Sequence, residues 1–198
     1  MQISIEAKNL AGELYKLLGV TSSKGPLTIV SNALLTATED NTLRLEATDL
    51  EVTMSTEVTC EVKTPGKLCI NAHNLYNVVK GLKDQTVAIE AQDNHWARLQ
   101  SGDVDCRIVG VPPVEFPRLP DLGDLSFFDV ESDMLMGMVE RTIFSISTDE
   151  GRPNLMGSFL VAQNGTLMMV STDGHRLSKV IRELDGSDAP AALSEGVI

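Results

Sequence analysis

Apolar and polar positions along the chain change period several times, and each change predicts an element. Gln2–Ile5 alternates residue by residue, as a strand with one buried face does. Leu10, Leu14, Leu17 and Leu18 then recur at the spacing of a helix with one apolar stripe. Strands are expected next at Leu27–Thr38, Thr42–Thr48 and Glu51–Val62, with Glu39-Asp40-Asn41 as a turn. The same order returns with a strand at Lys67–Ile70, a stripe of Leu75, Val78, Val79 and Leu82, and strands at Thr86–Gln92, Ala97–Ser101 and Val104–Val109. A third start is expected at the strand Ser126–Val130. Asn9 and Asn74 stand just ahead of their stripes and are the expected helix caps. Connections this short favour antiparallel pairing, and helices on one face of antiparallel sheets mean an α+β fold.

These segments are copies of one another. At a shift of 125, Ile5 falls on Val130, Leu10 on Leu135, Gly12 on Gly137, Leu14 on Val139 and Leu35 on Leu160. One residue later in register, Thr42-Leu43 falls on Thr166-Leu167 and Thr48-Asp49 on Thr172-Asp173. A fainter copy lies inside the first, where Glu6–Leu10 resembles Asn71–Leu75 at a shift of 65. The unit is therefore β-α-β-β-β, repeated.

Between the long copies, Val111-Pro-Pro-Val-Glu-Phe-Pro-Arg-Leu-Pro120 carries four prolines and reads as a stiff extended connector. This places one domain of two units at residues 1–120 and a second, incomplete domain at 121–198. Leu193–Ile198 looks like Pro65–Ile70, the opening strand of another unit. A single unit would leave half a core and an open sheet edge, so the expectation is a fragment of a longer chain.

Composition adds limits. The 198 residues are 42% apolar and 22% charged, which suits packed cores. No run approaches 18 apolar residues, and the start lacks a secretion signal, so a cytoplasmic protein is expected. Three cysteines and three histidines show no zinc spacing, and no cofactor is expected. The formal charge of −12 argues by itself against a protein that grips nucleic acid with a basic face.

The repeat, the connector and Ser171-Thr-Asp-Gly-His-Arg-Leu177 together resemble the bacterial DNA sliding clamps, the beta subunits of DNA polymerase III. The resemblance covers the whole chain in register. It implies a clamp fold, with sheets outside and helices lining a central hole. It implies no catalysis: two three-domain subunits close head to tail around duplex DNA and tether the polymerase. Processivity would come from topology, which removes the conflict with the acidic charge. The implied DNA-facing residues are Lys8, Lys16, Lys80, Lys83 and Arg141 on or beside the helices, with Lys24 and Arg152 in loops. Pro153 and Asn154 follow Arg152 where some relatives carry aromatic residues. The implied docking groove takes Leu155, Thr172, Gly174, His175, Arg176 and Leu177. Its ligands would be short linear motifs of the polymerase alpha subunit, the clamp loader and repair proteins.

One rival comes from another class. Asp149, Glu150, Asp173 and His175 are ligand types for a small metal-dependent hydrolase, although Thr148–Gly151 also reads as a plain loop and a lone Asp-x-His is more often a turn. No Walker loop, Gly-rich dinucleotide motif or His-Glu-x-x-His is present. Met134, Met136, Met138, Met168 and Met169 read as packing.

Overall fold

The computed structural model describes residues 1–21, 28–82, 85–117, 129–184 and 196–197. Contacts divide the chain into two compact units, Met1–Pro120 and Asp121–Ile198.

In the first unit, β1 (Gln2–Glu6) runs straight into α1 (Ala7–Leu17). Then come β2 (Asn32–Ala37), β3 (Thr42–Thr48), β4 (Thr53–Thr59) and β5 (Glu61–Thr64). The second copy is β6 (Gly66–Asn71), α2 (Ala72–Gly81), β7 (Thr86–Ala91), β8 (Trp96–Ser101) and β9 (Val104–Val111). The nine strands follow the order β4-β3-β2-β6-β9-β8-β7-β1-β5, with every pairing antiparallel.

Each copy lends its first strand to the other. β1 pairs with β7, Ile3 opposite Ile89, and β6 pairs with β2, Leu68 opposite Leu35. The exchange brings α1 and α2 side by side over one core. Leu10, Leu14 and Leu17 of α1 and Leu75 of α2 are fully buried there with Leu35, Leu43, Leu45, Ile70, Ile89 and Leu99. β4 shows which way the sheet faces. Thr56 donates to the Glu13 carboxylate of α1, whereas Thr53, Ser55, Glu57 and Thr59 alternate outward, away from the helices.

The second unit holds α3 (Ser132–Thr142), β10 (Phe159–Gln163), β11 (Thr166–Thr172), β12 (Leu177–Glu183) and β13 (Gly196–Val197), in the sheet order β12-β11-β10-β13. The repeat register reappears here. α3 begins and ends 125 residues after α1, while β11 and β12 lie 124 residues after β3 and β4. β13 meets β10 as β6 meets β2: Val197 sits opposite Phe159 where Cys69 sits opposite Leu34. Met138 and Met169 are fully buried with Ala162 and Leu167, and Met134 packs against them. Met136 departs from the packing expectation and is exposed, because it falls outside the α3 stripe.

Four local expectations change. Asn9 and Asn74 lie within the first turn of their helices, because β1 and β6 feed the helices directly and buried Ala7 and Ala72 begin the stripes. The cap of α2 is Asn71, whose side chain accepts from the Asn74 N–H at 2.9 Å, and Glu6 precedes α1 without a side-chain cap. Of the expected strand 27–38, Thr28–Ser31 is a short 3₁₀ turn before β2, and Leu27 lies outside the described residues. The stretch 51–62 is divided at buried Cys60 into β4 and β5, which stand at opposite ends of the sheet order. Asn41 holds that bend, accepting from Cys60 N at its carbonyl and from Val62 N at its side chain. Of the expected strand 126–130, Asp129 and Val130 are not in a strand and the remainder lies outside the described residues.

Leu14→Ala removes a fully buried side chain from the α1 stripe and is expected to lower the unfolding free energy by about 2–5 kcal/mol. Lys8→Ala on the exposed side of the same helix is expected to change it by less than ~0.5 kcal/mol. Urea midpoints of the two variants check this, and equal shifts would contradict the assignment of the buried face.

Candidate functional site

Two surfaces gather the residues singled out by the sequence, one in each unit. The first is the exposed side of α1 and α2. It presents Lys8, Lys16 and Lys80, with Asn9, Asn74 and Asn77 between them and half-buried His73 beside them. One acid, Glu13, lies on these helices. Lys16 Nζ donates to it at 2.8 Å, Thr56 donates from β4, and these two bonds hold its carboxyl below the usual range. The other described carboxylates of this unit fall on strands and turns, among them Glu46, Asp49, Glu57, Glu90 and Asp105. Several are bound by arginine there, as Arg98 binds Asp105 and Arg44 approaches Glu57 at 3.5 Å. Lys24 and Lys83 lie outside the described residues.

The helix of the second unit is different. α3 carries Asp133, Glu140 and exposed Arg141, and no lysine. Sequence reasoning placed Arg141 with the lysines; the structure sets it on a helix whose exposed side also carries acids and Met136.

The second surface is the hairpin between β11 and β12. Thr172 Oγ1 donates to the Arg176 carbonyl at 2.7 Å and accepts from Gly174 N at 3.1 Å. The Asp173 carboxylate accepts from the backbone N–H groups of His175 and Arg176, at 2.9 and 3.0 Å, and from Arg176 Nε at 3.0 Å. Those backbone donors, His175 first, pull the Asp173 carboxyl down to about 2. Gly174 sits at φ +89°, in the left-handed region. The result is a rigid tip with His175, Arg176 and Leu177 outside, Leu177 being 64% exposed.

Leu155 sits on a turn that Arg152 ties to this hairpin. Pro153–Leu155 forms a 3₁₀ turn whose Leu155 carbonyl accepts from Ser147 N at 2.7 Å. Arg152, at the start of that turn, donates to the Asp149 carboxylate at 2.9 Å and to the Asp173 carbonyl at 3.3 Å. Sequence reasoning set Arg152 apart as DNA-facing; the structure ties it to the hairpin. Arg176 lies with its guanidinium 5.7 Å from the Phe144 ring centre, and Phe144 and Met156 are exposed. The hairpin and the segments beside it thus present exposed Phe144, Met156 and Leu177, while the N–H groups of Gly174, His175 and Arg176 are spent inside the hairpin.

The metal-dependent reading finds no support in this geometry. Asp149 is occupied by Gly151 N and Arg152, and Asp173 by its own hairpin. Among the described residues no three His, Cys, Asp or Glu side chains are grouped to hold a metal ion. Nor is any described helix long and apolar enough to cross a membrane.

A family model for the N-terminal domain of the DNA polymerase III beta subunit matches residues 1–120, and one for its central domain matches residues 129–192. The chain belongs to the DNA polymerase III beta subunit family. The beta sliding clamp of Chlamydia trachomatis is 29% identical to this chain over 184 residues, 93% of this chain and 44% of that protein. The beta sliding clamp of Bacillus subtilis is 25% identical, over 93% of this chain and 51% of its own length. The crystal structure of the beta subunit from Pseudomonas aeruginosa superposes with a TM-score of 0.91 at 27% identity, covering all of this chain and 53% of that one. The Bacillus subtilis clamp structure shares the fold with a TM-score of 0.93. The chain thus has the DNA clamp fold and spans about half the length of its relatives.

Within this beta-subunit sequence, the Thr172 hairpin has a twin in the first unit. Thr48 Oγ1 donates to the Val52 carbonyl at 2.9 Å and accepts from Leu50 N, while Asp49 accepts from Glu51 N and Val52 N. Leu50 occupies the Gly174 position at φ +82°. Sequence reasoning missed this equivalence beyond the Thr-Asp pair, and it also missed Phe144, for which the one signal was an aromatic aligned with Gly19. Two opposite outcomes follow. Gly174→Ala is expected to cost about 1–2 kcal/mol of stability, since its Cβ would also stand 3.2 Å from Arg152 Nη1. Leu50→Gly is expected to stabilise by about 0.5–1 kcal/mol through relief of the same conformation. Thermal unfolding of both variants checks the pair.

A further outcome concerns pH. The Asp173 carboxyl is lowered in the folded state, so its contribution to the hairpin is fully present above its unfolded value and is lost as pH falls through about 2. Carboxyl NMR shifts are expected to show Asp173 titrating below the ordinary aspartate range.

Proposed function

We propose that this chain is the DNA-encircling part of a sliding clamp, its two units being the first domain and part of the second domain of a three-domain subunit. In this reading two subunits close as a homodimeric ring on double-stranded DNA and hold the replicative polymerase to its template. The protein is not an enzyme and needs no cofactor. It works in the cytoplasm, where its partners are the polymerase III alpha subunit, the clamp loader and other proteins carrying clamp motifs.

The observation that carries the reading is the segregation of charge. A chain of net charge −12 reserves the open face of α1 and α2 for Lys8, Lys16 and Lys80 and keeps its one helical acid there neutralised. Lysines spaced along two helices suit a face turned to phosphates, with Arg141, Arg152, Lys24 and Lys83 completing the set proposed to face DNA. So few cations make a weak grip. A protein held by six to ten phosphate contacts loses roughly 10³–10⁵ in affinity between low and moderate salt, whereas a ring is held by closure and slides on a weak surface.

The hairpin face is the proposed docking groove, formed by Leu155, Thr172, Gly174, His175, Arg176 and Leu177. Two apolar anchors of a bound motif contribute about 3–6 kcal/mol when buried, at ~1.5–3 each. Micromolar affinity corresponds to about −8 kcal/mol. Hydrogen bonds to the peptide backbone, with Arg176 a ready donor, supply the remainder.

The test uses the protein as the cell makes it, with its loader, on nicked circular DNA. After a high-salt wash the protein is expected to remain on the circle and to leave when the circle is cut. Protein that washes off with salt, or stays on after cutting, contradicts retention by closure. Arg176→Ala is expected to weaken binding of a labelled clamp-motif peptide by roughly 10-fold or more, about 1.4 kcal/mol or more, and to lower loading through the same groove, while the molecules that are loaded stay salt-resistant.

A further inference from the structure

Tyr15 on α1 does not belong to the helix's packing. The apolar stripe is complete in Leu10, Leu14 and Leu17, all fully buried, yet Tyr15 stands beside it 67% exposed. Its ring lies 6.0 Å from that of Tyr76 on α2, tilted by 40°, so the two aromatics meet across the helix pair. Lys80 Nζ is 5.4 Å from the Tyr76 ring centre, within cation–π range. Lys80 has no carboxylate partner among the described residues, and Lys16, next to Tyr15, carries the second ammonium. One turn earlier on the same side, Gly12 is exposed, and a Cβ there would meet nothing within 4 Å. A glycine inside a helix is less favourable than alanine, and packing does not require one here. The position beside Tyr15 is open to the backbone.

We infer that Tyr15 and Tyr76 form a stacking platform for an unpaired DNA base, with Lys80 and Lys16 receiving the adjoining phosphates. The inference rests on the reading that the α1 and α2 face meets DNA. Aromatic rings stack on any base, so the platform is indifferent to sequence, and flanking cations favour a nucleic acid over an apolar partner. Bases inside a duplex are already stacked on their neighbours, so the ligand is a single-stranded segment or a frayed end. Gly12 leaves room beside the exposed Tyr15 ring for a base to slide in. Lys16 is shared with Glu13, so Lys80 is the stronger phosphate contact of the two.

The experiment compares two fluorescent probes at low salt, a 12-nucleotide oligo(dT) and a blunt duplex of equal length, each titrated with the protein as the cell makes it. Tyr15→Ala is expected to weaken oligo(dT) binding by roughly 5- to 100-fold and to leave duplex binding within about twofold. Tyr15→Phe, which keeps the ring, is expected to bind oligo(dT) like the unaltered protein. Tyrosine fluorescence is expected to fall on adding oligo(dT), and this quenching should be reduced in Tyr15→Ala. Since Tyr15 is exposed, its variants are expected to unfold at the parent temperature. Duplex binding with no oligo(dT) binding, or equal loss of both probes in Tyr15→Ala, overturns the platform and leaves the DNA-facing reading standing. Failure of the unaltered protein to bind either probe also overturns the platform, while the DNA-facing reading stands or falls by retention on circular DNA.

Discussion

Backbone hydrogen bonds between β1 and β7, and between β6 and β2, are the constraint on which the first unit depends. Each copy of the repeat hands its opening strand to the other, so neither copy can complete its sheet alone. Because β1 and β6 run directly into α1 and α2, the exchange also sets the two helices together over one core. Sheet and helices then have opposite outward faces. The helices can present lysines to one side while the strands carry carboxylates on the other. A chain of high negative charge can thereby keep one face for an anionic partner.

The same repeat explains the second surface. Thr48-Asp49 and Thr172-Asp173 build hairpins with matching hydrogen bonds, in which the carboxylate holds two backbone N–H groups and the threonine closes the loop. One scaffold thus carries different tips. Leu50, Glu51 and Val52 stand where the other copy has Gly174, His175 and Arg176. Arg152 and Phe144 have no counterparts of like kind, and they tie and flank the second hairpin alone. The specialisation lies in a few side chains added to a shared backbone.

Much of this was legible from residues. The registers of 124 and 125 recover α3, β11 and β12 from α1, β3 and β4, and the likeness of Leu193–Ile198 to Pro65–Ile70 anticipates a strand where β13 lies. What stayed hidden was tertiary in origin. Asn9 and Asn74 resemble caps because each is a polar residue before an apolar stripe, and small buried Ala7 and Ala72 do not announce themselves as its start. The division of 51–62 at Cys60 depends on Asn41, a partner 19 residues away. Tyr15 shows no pattern at all, since its meaning comes from Tyr76 on another helix. Charge alone groups Arg152 with the other cations, and only the fold shows it bridging to the Asp173 carbonyl.

In the proposed clamp the helix side, not the strand side, meets DNA. A photo-crosslinking amino acid placed at Asn77 on the exposed side of α2, and separately at Ser55 on the outward side of β4, tests it on loaded circular DNA. Covalent protein–DNA adducts are expected from position 77 and none from position 55. Adducts from position 55, with none from position 77, would contradict it.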